Sequence, residues 1–233
     1  MCSIKKNIKQ VMEHIDRATQ KCGRPEGSVQ LLAVSKTKPI EAIAEALAAG
    51  QHAFGENYVQ EGVEKVQHFA QHAAHSALEW HFIGPIQSNK TRQIAEHFDW
   101  VHSVDRLKVA KRLSEQRPAH LPALNVLVQV NTSGEMSKSG VAFEEAEALV
   151  EAIAQLPNLT VRGLMSIPQP ETDYAQQCAA FAPLADMFSA LKAKYESVDT
   201  LSMGMSGDME AAIASGSTMV RIGTAVFGAR EKR

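Results

Sequence analysis

The feature that most constrains the fold is an eightfold recurrence of a short apolar run followed by a segment with helical spacing of apolar residues. The eight runs are Val29–Ser35, His52–Gly55, Trp80–Gly84, Trp100–Val104, Leu124–Asn131, Val161–Ile167, Leu201–Gly204 and Val220–Val226. Runs that are apolar on both faces are typical of buried parallel strands. About eight such units in a chain close to the ~250 residues typical of the class predict an α/β fold, a single (β/α)8 TIM barrel domain over residues 1–233.

An extra amphipathic helix precedes the first run, because apolar residues repeat there at helical spacing; they are Ile4, Ile8, Val11, Met12 and Ile15. The alternative fold is a doubly wound open sheet, which would carry a glycine-rich turn after its first strand. The segment 35–38 contains no glycine, which favours the barrel. Pro183 falls inside a predicted helix over Tyr174–Tyr195 and is expected to kink or divide it.

Composition excludes several functional classes. The net charge of −2 argues against a nucleic-acid-binding protein. No apolar run reaches the roughly 20 residues that span a membrane, and the N-terminus has no signal-peptide pattern. Three dispersed cysteines are typical of a reducing compartment, so we expect a cytoplasmic protein. His68, His72 and His75 share one helix face, but a single element rarely supplies a whole zinc site, and no metal is expected.

Lys36 is the first candidate for chemistry. It directly follows the first predicted strand, and function in such barrels gathers at the carboxyl ends of the strands. Partial desolvation lowers the pKa of a lysine and frees its amine for attack on a carbonyl. A solvated loop lysine, as expected for Lys38, is the alternative interpretation of the same position.

A phosphate site is predicted at the loops after the last two strands, where barrels of this class often bind phosphate. Residues 204–208 supply glycines, the Ser206 hydroxyl and a helix start, and Gly223 and Thr224 supply a second backbone approach. A reactive amine facing a phosphate site indicates a phosphorylated aldehyde, pyridoxal 5′-phosphate, held as an imine. Arg221 would then face the pyridine nitrogen and oppose its protonation.

Five ordered motifs carry a resemblance that spans nearly the whole chain. They are Leu31–Pro39, Phe54–Glu61, Trp80–Lys90, Leu201–Ser206 and Val220–Gly228. Together they resemble the pyridoxal phosphate homeostasis proteins, whose barrel is similar to the N-terminal domain of alanine racemase, the fold type III of pyridoxal phosphate proteins. The resemblance implies intracellular storage, buffering or delivery of the vitamin B6 cofactor, without an assigned catalytic residue.

The resemblance also implies roles for individual residues. Lys36 would form the Schiff base, Ser206, Gly223 and Thr224 would hold the phosphate, Arg221 would face the ring nitrogen, and Asn57 would lie near the cofactor. Gly207 departs from the pattern, in which a bulkier or acidic residue often precedes Asp208. The departure predicts a more flexible phosphate loop and weaker binding.

The rival class is a pyridoxal-phosphate-dependent amino-acid racemase. Such enzymes continue into a β-rich domain that supplies a catalytic tyrosine, whereas this chain ends at Arg233 and none of its three tyrosines matches that base. Without that domain we expect a monomer. Apo pyridoxal-phosphate enzymes are the expected recipients of the cofactor, and Lys138, in a Gly- and Ser-containing loop after the fifth strand, is the candidate transfer lysine. Lys38 and Lys90 are weaker alternatives, and a solvated Lys138 paired with Glu135 is the simpler interpretation.

Overall fold

The computed structural model describes residues 3–72, 77–136 and 138–229. Its strands are β1 (Gln30–Val34), β2 (Ala53–Glu56), β3 (Glu79–Phe82), β4 (Trp100–Val104), β5 (Leu124–Asn131), β6 (Val141–Ala142), β7 (Leu159–Met165), β8 (Thr200–Ser202) and β9 (Met219–Ile222). They pair in parallel in the order β4-β3-β2-β1-β9-β8-β7-β5, and β4 pairs with β5 to close the ring. The two-residue β6 adds to β5 outside the ring. The closed eight-stranded parallel barrel confirms the predicted fold class.

Helices surround the barrel in the described residues. They are α1 (Ile4–Lys21), α2 (Ile40–Ala48), α3 (Val59–Ala70), α4 (Thr91–His97), α5 (Leu107–Gln116), α6 (Ala146–Ala154), α7 (Tyr174–Lys194), α8 (Met209–Ala214) and α9 (Thr224–Phe227). The main core lies between these helices and the outward side chains of the strands, such as Phe54 and Phe82. Separate small clusters fill the barrel interior, where Leu32 packs with Met219 and Trp100 packs with Leu127.

The predicted N-terminal helix is present as α1. Its buried face carries Ile8 and Ile15, and it packs against α2, α8 and α9 rather than against a strand. The side chain of Asn7 donates a 2.9 Å hydrogen bond from Nδ2 to the carbonyl oxygen of Val226. Helix α1 therefore covers the outside of the barrel next to β9.

One local prediction is wrong, and of the two outcomes expected at Pro183, the division of the helix does not occur. The last strand ends at Ile222 instead of Val226, because the chain turns at Gly223 and its carbonyl oxygen accepts hydrogen bonds from the backbone N–H groups of Val226 and Phe227. Helix α7 is not divided at Pro183. Both Pro183 and Ala179, whose carbonyl loses its helical donor, lie on the exposed side, where that carbonyl oxygen is open to solvent.

Candidate functional site

The predicted site residues leave neighbouring strands at one rim of the barrel. Ala33 of β1 lies opposite Ile222 of β9, and Val34 lies opposite Gly55 of β2. Lys36, Asn57 and Gly223 therefore follow adjacent strand ends at similar heights. A Cβ atom added to Gly223 would lie 3.4 Å from the carbonyl oxygen of Val34, which shows how closely the two strand ends approach.

A buried ion cluster lies next to the backbone that carries Lys36. The ammonium of Lys65 donates to Glu56 Oε1 at 2.7 Å, to Glu61 Oε1 at 2.7 Å and to the carbonyl oxygen of Ser35 at 2.8 Å. The hydroxyl of Ser35 donates to the same Glu56 oxygen at 2.7 Å. Lys65 and Glu56 are almost fully buried, so these bonds are shielded from water.

The same cluster reaches the residue after Lys36. The backbone N–H of Thr37 donates to Glu61 Oε1 at 2.6 Å, and Thr37 holds a left-handed backbone with φ of 63°. The backbone is thus fixed on both sides of Lys36, whose side chain is half-buried. Burial raises the pKa of Glu56, and the charge of Lys65 opposes that rise. Sequence reasoning missed this cluster, although the i,i+4 spacing of Glu61 and Lys65 on one helix is a visible signal.

Arg221 is buried in the barrel interior below the rim. Its guanidinium donates to Ser202 Oγ at 2.7 Å and to the carbonyl oxygen of Ser166 at 2.9 Å. Burial lowers the pKa of Arg221 to about 10, and Asp208 partly opposes the shift. The guanidinium therefore stays charged at neutral pH. The backbone N–H of Arg221 donates to the carbonyl oxygen of Gly204. This bond links β9 to the loop that begins at Gly204.

The predicted phosphate loop, residues 204–208, has a defined shape. Gly204 has a φ of 105°, and a Cβ atom there would lie 2.6 Å from Ala212 Cβ, so only glycine fits. Asp208 accepts a 2.7 Å hydrogen bond on Oδ1 from the backbone N–H of Met205. Ser206 and Gly207 are exposed at the loop tip, where nothing lies within 4 Å of a Cβ added to Gly207.

Thr224 lies exposed across from that loop. Because the last strand ends early, Thr224 is the first residue of α9 rather than a strand residue. It follows Gly223 at the end of β9, the strand that pairs with β8, and its role in holding a phosphate stays a prediction.

Buried polar atoms without a protein partner lie at the same rim. Among the described residues these include Asn57 Oδ1 and Ser166 Oγ, which follow the ends of β2 and β7. Gly84 lets the chain after β3 approach Asn57, because a Cβ atom there would lie 2.1 Å from the Asn57 carbonyl oxygen. Unsatisfied buried polar atoms are costly, so their position at the rim fits a polar ligand that supplies the missing bonds. Ser166 was not among the residues singled out in the sequence.

Lys138 follows β5, which lies four strands from β1 around the ring and so diametrically opposite Lys36. Its ammonium lies 3.7 Å from Glu135 Oε2, the pairing expected of a solvated loop lysine. The loop is held by Asn131, whose Nδ2 donates to the Glu135 carbonyl oxygen at 2.7 Å. Lys38 instead donates to the carbonyl oxygens of Gly228 and Ala229, both at 3.1 Å, and anchors the end of α9.

Of the three histidines considered for a metal site, His68 lies on α3 and His72 lies just after the end of that helix. The rings of His68 and His72 meet edge to face at 6.0 Å, and His75 lies outside the described residues. No group of three or more metal-ligating side chains occurs in residues 3–72, 77–136 and 138–229. Within those ranges, no helix is long and apolar enough to cross a membrane.

A closed parallel barrel with a lysine after β1 and a glycine-rich loop after β8 defines the class of the alanine racemase barrel. The sequence profile described as "Alanine racemase, N-terminal domain" matches residues 3–231. Alanine racemase from Corynebacterium glutamicum superposes with a TM-score of 0.69 at 17% identity, covering 97% of this chain and 61% of that one, which shows the fold.

Relatives that align over nearly the whole chain identify the family within this class. The pyridoxal phosphate homeostasis protein of Vibrio cholerae is 64% identical over 231 residues, covering 99% of this chain and 98% of the relative. That of Escherichia coli K12 is 58% identical, with the same coverage. The structure of PipY from Synechococcus elongatus with PLP bound superposes with a TM-score of 0.79 at 36% identity, covering 97% of this chain and 100% of that one. The chain belongs to the pyridoxal phosphate homeostasis protein family.

Proposed function

We propose that this chain binds pyridoxal 5′-phosphate covalently at Lys36 and stores or delivers it in the cytoplasm without a catalytic cycle of its own. The observation that carries the proposal is the joint placement of a half-buried lysine, a buried arginine and a glycine-rich loop on adjacent strand ends. The family supports it, since PipY was solved with PLP bound and the relatives are named for pyridoxal phosphate homeostasis.

The residues present fit the chemistry of this group. Pyridoxal phosphate supplies an aldehyde that joins reversibly to a primary amine. Lys36 offers that amine from a backbone fixed on both sides by the cluster of Lys65, Glu56 and Glu61. Asn57 Oδ1 and Ser166 Oγ offer unused polar atoms at the same rim.

The remaining residues would bind two different parts of the cofactor, the phosphate and the pyridine ring. Exposed backbone and hydroxyl groups of Ser206, Gly223 and Thr224 hold the phosphate. Arg221 donates a hydrogen bond to the ring nitrogen and, as a fixed cation, opposes its protonation. An unprotonated ring withdraws electrons weakly, which favours holding the cofactor over transforming amino acids with it.

Reductive trapping tests the attachment. Borohydride treatment of the loaded protein and peptide mapping should place the cofactor on Lys36. Lys36→Ala should lose the adduct and keep the circular dichroism spectrum of the folded barrel, whereas Lys90→Ala, on the loop after β3, should retain the adduct. Principal labelling of another lysine in the unaltered protein contradicts the assignment. Multiple turnovers of an amino acid by the loaded protein support the racemase-like alternative.

For delivery, we propose that the Lys138 amine would replace the Lys36 amine in a transimination: a C=N bond to Lys138 would form as the C=N bond to Lys36 breaks, and the Lys36 amine would be released. The two lysines would act from opposite sides of the barrel mouth, since β5 and β1 lie opposite each other in the ring. Lys138→Ala should slow transfer of bound cofactor to an apo-enzyme, and Lys108→Ala, an exposed lysine on α5, should not. Equal transfer rates in both variants assign release to simple dissociation.

The protein acts as a monomer in this proposal, and sedimentation showing a stable dimer at low micromolar concentration would contradict it.

A further inference from the structure

A line of hydrogen bonds crosses the barrel interior and ends at Arg221. His81 Nε2 lies 2.7 Å from Glu79 Oε1, and His81 Nδ1 lies 2.8 Å from His102 Nε2. His102 Nδ1 lies 3.0 Å from Ser202 Oγ, which accepts the 2.7 Å bond from Arg221. Glu79 begins β3 at the amino-terminal mouth of the barrel, so the line runs from that mouth to the rim. We call these four residues before Arg221 the relay: Glu79, His81, His102 and Ser202.

The Glu79 end and the neutral rings fix the direction of the bonds between Glu79 and Ser202. An ionised carboxylate only accepts, so His81 carries its hydrogen on Nε2 and donates to Glu79. Nδ1 of the neutral His81 then accepts, so His102 carries its hydrogen on Nε2 and donates to it. His102 Nδ1 is left as the acceptor for the Ser202 hydroxyl, whose oxygen accepts the bond from Arg221.

Burial favours the neutral form of both histidine rings, His81 and His102. Side chains of His81, His102 and Ser202 are fully buried. Desolvation lowers the pKa of His81, and desolvation together with His81 and Arg221 places the pKa of His102 well below its ordinary value. Hydrogen bonds aligned in one direction polarise one another, which strengthens Ser202 Oγ as an acceptor for the guanidinium.

We propose that the relay is a positioning device that holds the guanidinium of Arg221 in the orientation the cofactor ring requires, and that a proton taken up by the relay releases this hold. The inference rests on the proposed function, because the ring nitrogen is the partner assigned to Arg221. No residue of the relay touches the ring in this proposal, and each acts through Arg221.

A proton added to His102 must go to Nδ1, since Nε2 already carries one. Ser202 Oγ would then face a donor from His102 and a donor from Arg221, and its own hydrogen would lose its acceptor. Two cations would lie on either side of one hydroxyl, and their repulsion opposes the fixed position of Arg221. Acid therefore loosens the contact between the arginine and the ring.

Charged groups around the relay favour proton entry from the amino-terminal end. Glu79 and Asp99 are the acidic groups that face His81, whereas Arg221 faces His102. Arg162 is a further cation near His81: it lies over the Trp100 ring on which His81 stacks, and its charge is paired with the carboxylate of Asp199 at 2.7 Å. Arg117 acts on Asp99. On the Arg221 side, Asp208 is the acidic group.

Nitrogen NMR of the apoprotein with labelled histidine tests the relay without the cofactor. We expect His81 and His102 each to show a protonated Nε2 and an unprotonated Nδ1 at neutral pH, and to keep that state as the exposed rings of the same chain become charged on acidification. A hydrogen on Nδ1 of either ring, or titration in step with the exposed histidines, overturns the assignment. The outcome does not depend on whether Lys36 binds the cofactor.

Cofactor-loaded variants test the positioning role. Ser202→Ala removes the acceptor for Arg221 and should speed cofactor dissociation about 10- to 100-fold, the range for loss of a hydrogen bond to a charged group. Thr200→Val, which removes a buried hydroxyl two residues earlier on β8, should not. His102→Asn keeps an acceptor near the position of Nδ1, so it should retain slow dissociation at neutral pH. It should also lose the acceleration that we expect of the unaltered protein at a pH below the range in which its exposed histidines become charged.

Equal dissociation rates for Ser202→Ala and Thr200→Val overturn the proposal, as does an unchanged acid response in His102→Asn. Circular dichroism at each pH establishes that the variants remain folded. Failure of the unaltered protein to take the cofactor at Lys36 refutes the proposed function instead, while the NMR result still decides the direction of the relay.

Discussion

Replacing Lys65 with methionine isolates the ion cluster that fixes the backbone around Lys36. The substitution keeps the length of the side chain and removes three hydrogen bonds, to Glu56, Glu61 and the carbonyl oxygen of Ser35. Glu56 is fully buried, so its carboxylate loses the cation that compensates it. Breaking a buried pair in this way costs about 3–5 kcal/mol of unfolding free energy. That is a large share of the ~5–15 kcal/mol that stabilises a typical domain.

The loss of stability in Lys65→Met should depend on pH, and the direction of that dependence follows from the pKa of Glu56. Burial raises the pKa of Glu56 even with Lys65 present, and without Lys65 only the raising influences of burial and Glu61 remain against the Ser35 hydrogen bond. A carboxyl whose folded pKa lies above its unfolded value binds more protons in the folded state, so stability falls as pH rises between the two values. Lys65→Met should therefore be less destabilised at pH 5 than at pH 8.

Urea unfolding followed by tryptophan fluorescence measures this, because Trp80 and Trp100 are both buried. Lys111→Met, an exposed lysine on α5, is the matched control and should change stability by less than about 0.5 kcal/mol. Adding Glu56→Gln to Lys65→Met removes the uncompensated charge and should restore part of the loss. A loss below about 1 kcal/mol, or one that is equal at both pH values, would show that the cluster is solvated and refute the reasoning.

Two other substitutions follow from close contacts. Gly84→Ala should destabilise the protein by several kcal/mol and weaken cofactor binding, because its Cβ atom would lie 2.1 Å from the Asn57 carbonyl oxygen; Gly207→Ala, in open space, should be tolerated, and equal thermal unfolding of the two would contradict this. Asn7→Ala should cost roughly 1 kcal/mol and speed amide hydrogen exchange in α1, because it leaves the Val226 carbonyl oxygen without its 2.9 Å donor. Unchanged exchange in α1 would show that apolar packing alone holds that helix.

Local pattern predicted the barrel because short, mostly apolar runs recur eight times and segments with helical spacing of apolar residues follow them. The error at Gly223 has a different origin: the run through Val226 stays apolar, but a turn of the backbone, which hydropathy does not record, starts α9 there. Positions after strand ends also placed Lys36, Asn57 and Gly223 at one rim, while the binding roles of these residues stay predictions. No local pattern predicted that His81 and His102 would face each other inside the barrel, because their contact depends on how β3 and β4 are aligned.

Two buried cations of the candidate site, Lys65 and Arg221, differ in how their charge is compensated. The cluster beside Lys36 is neutralised at close range, with Lys65 within 2.7 Å of two carboxylates. Among the described residues, the hydrogen-bond partners of the Arg221 guanidinium are a hydroxyl and a carbonyl oxygen, and Asp208 acts on it at longer range. A buried cation whose neighbours are mainly dipoles, not carboxylates, still attracts an electron-rich acceptor strongly. If the proposed function holds, the rim would combine a rigid backbone support for the amine of Lys36 with a fixed positive charge at Arg221 that attracts an electron-rich atom of the ligand.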